Sequence, residues 1–281
     1  MHPLYGPRLK IRRAVSEIER LRGLQESFRS EAKYQIIRAE MNLETGKYVY
    51  RAKAIYVPNL DEWGIWVGEI VHNLRSALDG LVFQLAQLNK SPAQARDTQF
   101  PIFRHRYTRR IRGGEVMGFE GHRGAKRPAR GSGRYMVRRL KPEHQARIEW
   151  LQPYRRNGGQ TALGRPLNGR WNLLYRLKEL NDADKHRLIQ VVGAKVGIGP
   201  FYSAWGDMTD DDIIFGRTRI LKDGAEIMQA DSRVHVQANV IPLIAFWKGC
   251  KAVQNVSVCS TLSLIAARVS EIVESFAPEF D

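Results

Sequence analysis

The chain lacks the motifs that most often fix an activity. There is no G-x-x-x-x-G-K-[ST] run, hence no Walker-type phosphate cradle. No G-x-S-x-G elbow is present, and neither cysteine stands in a family-type nucleophile context. No H-E-x-x-H and no paired C-x-x-C occur, which argues against a zinc enzyme; no metal site and no cofactor are called for. The only cysteines are Cys250 and Cys259, nine apart, and nothing about them demands a disulfide, so a reducing, cytoplasmic location is expected. No run of about 18 apolar residues exists, so no membrane span and no membrane partner are expected. The opening MHPLYGPRLKIRR is basic but no apolar core follows it, so no signal peptide is expected. No internal repeat is visible.

Acidic charge is also scarce. Over 281 residues the net charge is +16, which favours a polyanionic partner such as nucleic acid. Hydrophobic content of 43% is enough for a real core. The imbalance concentrates in residues 104–141. Arg104, Arg106, Arg109, Arg110, Arg112, Arg123, Lys126, Arg127, Arg130, Arg134, Arg138, Arg139 and Lys141 face only Glu115 and Glu120, which leaves eleven of the sixteen net charges in this stretch. Glycine is frequent there and aliphatic side chains are few, so the segment reads as a mobile arm without a core of its own. Arginine interleaved with Tyr107, Phe119 and Tyr135 suits phosphate contact with occasional base stacking. The first ten residues of that list to Arg134 are the candidate nucleic-acid contacts; the competing reading is a solvated insertion.

The longest organised stretch is NLDEWGIWVGEIVHNLRSALDGLVFQLAQL, residues 59–88. Asn59 reads as an N-cap with Glu62 three residues on. Trp66, Ile70, Leu74, Ala77, Leu78, Leu81, Leu85 and Leu88 gather on one helical arc. The opposite arc carries Glu69, His72, Asn73, Arg75, Ser76 and Asp79, with Arg75 and Asp79 spaced i, i+4. These short, directional polar groups read either as a cleft-lining site or as a water-facing stripe with one ion pair.

Other elements follow from periodicity. Residues 8–31 read as an amphipathic helix, and KYQIIRAEM with KYVYRAKAIYV reads as a β-hairpin over 33–57. TQFPIF (98–103) is extended, since Pro101 pushes Phe100 out of the α region. A short helix runs from Pro142 to about Gln152, and a longer one begins near Arg170. If its register persists through NDADKHR, Asp184 and Arg187 share the arc of Leu177 and Leu180. A charge there needs a partner, and the expectation is that Asp184 or His186 faces the polar arc of the 59–88 helix, with Arg75 as the cation; otherwise DKHR is an exposed turn. From Leu188 the pattern turns to period two, predicting an antiparallel meander of four or five strands, with Lys222-Asp223-Gly224 as a hairpin turn. Residues 260–276 form a last amphipathic helix. The fold class is α+β: residues 1–190 as a helical core carrying the hairpin and the basic arm, residues 191–281 as the meander with the C-terminal helix.

The strings HNLRSALDGLVFQLA, TQFPIF, IEWLQPY and LNDADKHRL, in that order, resemble a family of uncharacterised bacterial and phage proteins whose central motif reads H-N-L-R-S-A-L-D-H. That motif is similar in turn to the R-x-x-x-x-H helix signature of HEPN domains. The resemblance implies a HEPN-like helical core, a homodimer, a phage or defence context, and metal-independent ribonuclease chemistry by an Arg and a His. Arg75 stands at the Arg position, but Gly80 stands where the His falls. The leading expectation is therefore an RNA-binding protein with a degenerate site. The first rival is an active ribonuclease using His72, Arg75, Asp79 and His186. The second is a structural protein in which Asn73, Ser76, Asp184, Lys185 and Arg187 belong to a buried polar network.

Overall fold

The computed structural model describes every residue except 58, 90–97, 112–113, 156–171, 187–188, 190, 199–201, 205–212, 216–222, 233, 237–239, 247–249 and 255. The chain is an α+β protein. Four helices make its core: α1 (Tyr5–Glu31), α2 (Trp63–Leu88), α5 (Leu173–His186) and α6 (Val258–Ser275). Two shorter helices, α3 (Gly133–Met136) and α4 (Pro142–Trp150), lie between α2 and α5 in sequence.

Helix α2 sits at the centre because it is apolar on more than one stripe. Ile70, Leu74, Leu78, Leu81 and Leu85 of the expected arc are fully buried, and so are Val67, Val71 and Val82, which fall outside it. The wider buried arc arises because α1, α5 and α6 all pack on α2. Each buried aliphatic side chain contributes roughly 1.5–3 kcal/mol. Helix α1 runs antiparallel to α2, placing Pro7 beside Gly80 and the Arg20 guanidinium 5.1 Å from the Trp66 ring. It is also antiparallel to α6, with Arg8 paired to Glu274 at 2.6 Å and Arg22 bonded to Ser263 at 2.9 Å. Helix α6 thus joins the bundle across the 190/191 boundary.

The start of α2 differs from expectation. Asn59 does not cap the helix; its Oδ1 accepts the Asp61 amide at 2.9 Å in a local turn, and the helix begins one turn later, after Glu62. Helix α5 is capped by Asn172, whose Oδ1 accepts the amides of Leu174 and Tyr175. The start near Arg170 lies outside the described residues.

The expected hairpin forms as β1 (Lys33–Asn42) and β2 (Lys47–Tyr56). The C-terminal half holds β5 (Val191–Ile198), β6 (Tyr202–Ala204), β7 (Ile213–Phe215), β8 (Glu226–Ala230), β9 (Val234–Val236) and β10 (Val240–Phe246). These do not form a meander, in which each strand pairs with the next. They pair as nested partners, β5 with β10, β6 with β9 and β7 with β8. The pairs Ile198↔Val240 and Tyr202↔Val236 fall in one register. Strand β8 also pairs with β2, giving a sheet ordered β1-β2-β8-β7. Gly224, at φ 74°, makes the turn before β8, and the Asp223 carboxylate accepts the Ala54 amide at 2.9 Å. Lys222 lies outside the described residues.

Candidate nucleic-acid interface and the polar face of α2

Arg75 and Asp79 act together on one residue of another segment. Asp79 Oδ1 accepts the Phe100 amide at 2.8 Å, and Arg75 Nη2 donates to the Phe100 carbonyl at 2.6 Å and to Asp79 Oδ1 at 2.9 Å. Phe100 is fully buried, so its backbone groups need partners that no sheet supplies. The next groups of the same strap are met by Gln152. Its amide nitrogen donates to Pro101 O at 2.8 Å and Ile148 O at 3.0 Å, and its Oε1 accepts the Phe103 amide at 3.0 Å. The strings HNLRSALD, TQFPIF and IEWLQPY are thereby one device: α2 and the turn that follows α4 hold an extended strap by side chains that complete its backbone hydrogen bonds. Burial pushes the Asp79 carboxyl up, against the opposing pull of Arg75 and of the Phe100 amide.

Arg75 is therefore not the partner of Asp184, contrary to the expected pairing. The helical register does persist to His186, and Asp184 does meet α2, but one turn and more away from Arg75. It packs over Gly68, where an added Cβ would lie 2.1 Å from Asp184 Oδ1. Asp184 sits with Ile65, Gly68, Glu69, His72 and Asn73 around an open groove of about 490 Å³. Burial raises the Asp184 carboxyl, and His72 opposes that. His72 is exposed and its Nε2 lies 3.4 Å from Ser76 Oγ. Asn73 turns back on its own helix, donating to Glu69 O at 3.0 Å, and Lys185 is exposed. The residues expected in a buried network thus divide: Asp184 lines a groove, Asn73 and Ser76 bond within α2, and the network that is built is Arg75, Asp79 and Gln152 on the strap. Arg187 and the side chain of His186 lie outside what is described.

Gly80, where the resemblance would place a histidine, faces α1. A Cβ there would lie 3.2 Å from the Pro7 ring, so the position is filled by a helix-to-helix approach.

The basic segment is not a mobile arm; it is tacked onto the core. Phe119 is 1% exposed and packs edge-on to Phe103 and tilted on Tyr154, each at 6.2 Å between centroids. Val137 and Leu140 are buried as well. Backbone bonds from Phe119 to His105 (3.0 Å), Glu120 to Arg106 (2.7 Å) and Thr108 to Gly121 (2.9 Å) extend into the hairpin of β3 (Arg109–Ile111) and β4 (Gly114–Val116). Gly118 is pressed onto the opposing chain: a Cβ there would lie 2.2 Å from the Tyr107 carbonyl carbon. Ser132 caps α3 through the Tyr135 amide at 3.2 Å. Three or four core side chains at irregular spacing suffice to fix a segment whose average composition is polar.

The candidate contacts fall into two groups. Arg104 lies over the Tyr175 ring at 4.6 Å and donates to its hydroxyl, while Arg106 and Arg134 pair with Glu120 at 3.8 and 3.2 Å. Arg109, Arg110, Arg123, Lys126, Arg127 and Arg130 are exposed and pair with no carboxylate among the described residues. Arg112 lies outside the described residues. His105 is held below the ordinary imidazole range, first by burial and then by Arg109 and Arg104, a local mark of this positive field.

Among the described residues no cluster of three His, Cys, Asp or Glu could hold a metal ion. Burial pushes the Cys259 thiol up to about 11, which keeps it from being a thiolate nucleophile near neutral pH. No helix among the described residues is long and apolar enough to cross a membrane. Of the aromatic residues named beside the arginines, Phe119 is buried and Tyr107 and Tyr135 are half-buried, and exposed Trp150 was not among them; exposure of a tryptophan at a helix end has no periodic signal in sequence. Comparison with protein-family models, with curated proteins and with solved structures finds no match.

Proposed function

We propose that this chain is a nucleic-acid-binding protein, with RNA favoured, that holds its ligand on the exposed arginine surface of the β3–β4 hairpin and the turns that follow. One observation carries the reading. Six exposed cations that pair with no carboxylate among the described residues are displayed on a segment anchored to the core by Phe119, Val137 and Leu140. A fixed array loses less conformational freedom on binding phosphates than a free arm would. The resemblance to bacterial and phage proteins supports a phage or defence setting, and the two free cysteines agree with a reducing, cytoplasmic one.

Binding without cleavage is the form of the proposal. The Arg of the HEPN-like motif is engaged with Asp79 and Phe100, and Gly80 is closed by Pro7. A second reading, metal-independent cleavage of RNA, is favoured by one observation: His72 is exposed on the groove that Asp184 lines. A mobility-shift assay tests the first reading. Wild-type protein shifts RNA in EDTA, and the triple substitution Arg109→Gln, Arg123→Gln, Arg130→Gln weakens the shift by at least tenfold while the RNA stays full length. An equal shift by both proteins rejects the assigned surface. RNA fragments that vanish with His72→Ala would move the conclusion to cleavage.

A further inference from the structure

Beside the arginine surface stands a line of two aromatic rings, exposed Trp150 and half-buried Tyr107, and guanidinium groups that ion pairing alone does not explain. Trp150 ends α4 and is 56% exposed, the most exposed aromatic side chain among the buried and exposed large hydrophobics described. The Arg155 guanidinium lies 5.8 Å from its ring centroid. Arg155 pairs with Glu149, and Glu149 lies 4.0 Å from Arg106. Arg106 in turn lies 5.4 Å from the centroid of Tyr107, and Arg123 lies 5.2 Å from the same ring. Glu149 is thus the hinge of the line, holding two guanidinium groups in place beside two rings. Arg123 adds a cation that pairs with no carboxylate among the described residues.

Rings of this kind suit unpaired bases. An exposed tryptophan next to cations has little to gain from double-stranded nucleic acid, whose bases are already stacked and whose outer surface is phosphate. A single strand offers both parts at once: faces for the rings and phosphates for the guanidinium groups. The line also abuts the arginine hairpin through Arg106, Tyr107 and Arg123, so one strand can engage both.

We infer that the ligand of this surface is a single strand whose unpaired bases stack on Trp150 and Tyr107 while Arg106, Arg123 and Arg155 hold its phosphates. This rests on the nucleic-acid reading above. The stacking is sequence-tolerant, because every base has a face to offer, so preference is for strandedness over sequence.

The test is fluorescence anisotropy at about 50 mM salt, where phosphate contacts are strong, with a labelled 12-nucleotide RNA of mixed sequence, alone and annealed to its complement. Full-length protein is used as wild type, Trp150→Ala, Trp150→Phe and Tyr107→Leu. The single strand binds the wild type at least tenfold tighter than the duplex. Trp150→Ala loses about tenfold on the single strand, the cost of one stacked base, and little on the duplex, while Trp150→Phe keeps most of the affinity. Trp150 is exposed, so its substitutions leave the melting temperature unchanged. Equal affinity for both ligands, or a Trp150→Ala protein that binds the single strand like wild type, overturns the inference and leaves the arginine surface standing. Absence of binding to either ligand overturns the nucleic-acid reading and this inference with it.

Discussion

Asp79 accepts the backbone amide of Phe100 at 2.8 Å, across 21 residues of sequence and from a different kind of element. With Arg75 on the carbonyl of the same residue, the pair does for a strap what a neighbouring strand does in a sheet. The two most chemistry-like residues of the central motif are therefore spent on architecture.

Replacing either one measures this role. Arg75→Ala and Asp79→Ala each leave a backbone group of fully buried Phe100 unmet, a cost of about 1–3 kcal/mol. Urea unfolding should show that loss in both variants, and RNA affinity should change little. Asp79→Asn keeps an acceptor for the Phe100 amide and should lose less. Unchanged stability in all three would return Arg75 and Asp79 to the list of functional groups.

Gly80→His places a histidine where the resemblance to HEPN domains would have one. The new side chain meets the Pro7 ring, where even a Cβ lies at 3.2 Å. Overpacking of this sort costs about 1–3 kcal/mol. Thermal melting should fall, and a denaturing gel should show no gain of RNA cleavage. Metal-free cleavage by this variant would overturn the proposal of binding without cleavage.

Gly118→Ala probes the anchoring of the basic hairpin. The added methyl would lie 2.2 Å from the backbone of Tyr107, and backbone cannot swing aside as a side chain can. The crossing of residues 105–108 with 118–121 should loosen, with a loss of about 1–3 kcal/mol. RNA binding should weaken as well, although no cation is removed. Wild-type affinity in a loosened hairpin would mean that a fixed array is not required.

The C-terminal turn supplies a pH response. Glu279 is held below the ordinary carboxylate range, first by the hydrogen bond from His144 at 3.1 Å, then by the nearby charges of His144 and Arg147, with burial opposing. The folded state therefore binds fewer protons at this group than the unfolded chain. Its contribution is complete above the ordinary Glu value of roughly 4.3 and is lost as pH falls through that value to the lower folded one. Chemical denaturation from pH 6 to pH 3 should show stability falling with acid, and Glu279→Gln should flatten part of that slope. The same slope in both proteins would remove Glu279 from the account.

Much of the bundle was legible in sequence because helices bury stripes. The 3.6-residue spacing of Ile70, Leu74, Leu78, Leu81 and Leu85 marks one buried arc, while Val67, Val71 and Val82 need the other helices to explain them. The tethering of residues 104–141 was not legible. Phe119, Val137 and Leu140 stand alone in a polar stretch, and a single deeply set aromatic ring leaves no period to detect. Strand order was likewise hidden, since period two marks a strand but not its partner; the nested pairing depends on distant pairs such as Val191↔Phe246. In the site, the i, i+4 spacing of Arg75 and Asp79 marked a pair correctly, while its target, the backbone of Phe100, carries no side-chain signature at all.

The central claim is that exposed arginines on a fixed hairpin hold a polyanion. The most direct measurement is the affinity for a single-stranded RNA as a function of salt, in EDTA, for the wild type and for the protein carrying Arg109→Gln, Arg123→Gln and Arg130→Gln. Log affinity should fall linearly with log salt, with a slope of about −0.7 for each phosphate neutralised, and the triple variant should be shallower by about 2 units. The RNA should be recovered intact. A wild-type affinity indifferent to salt, or a slope that the three substitutions leave unchanged, would contradict the claim.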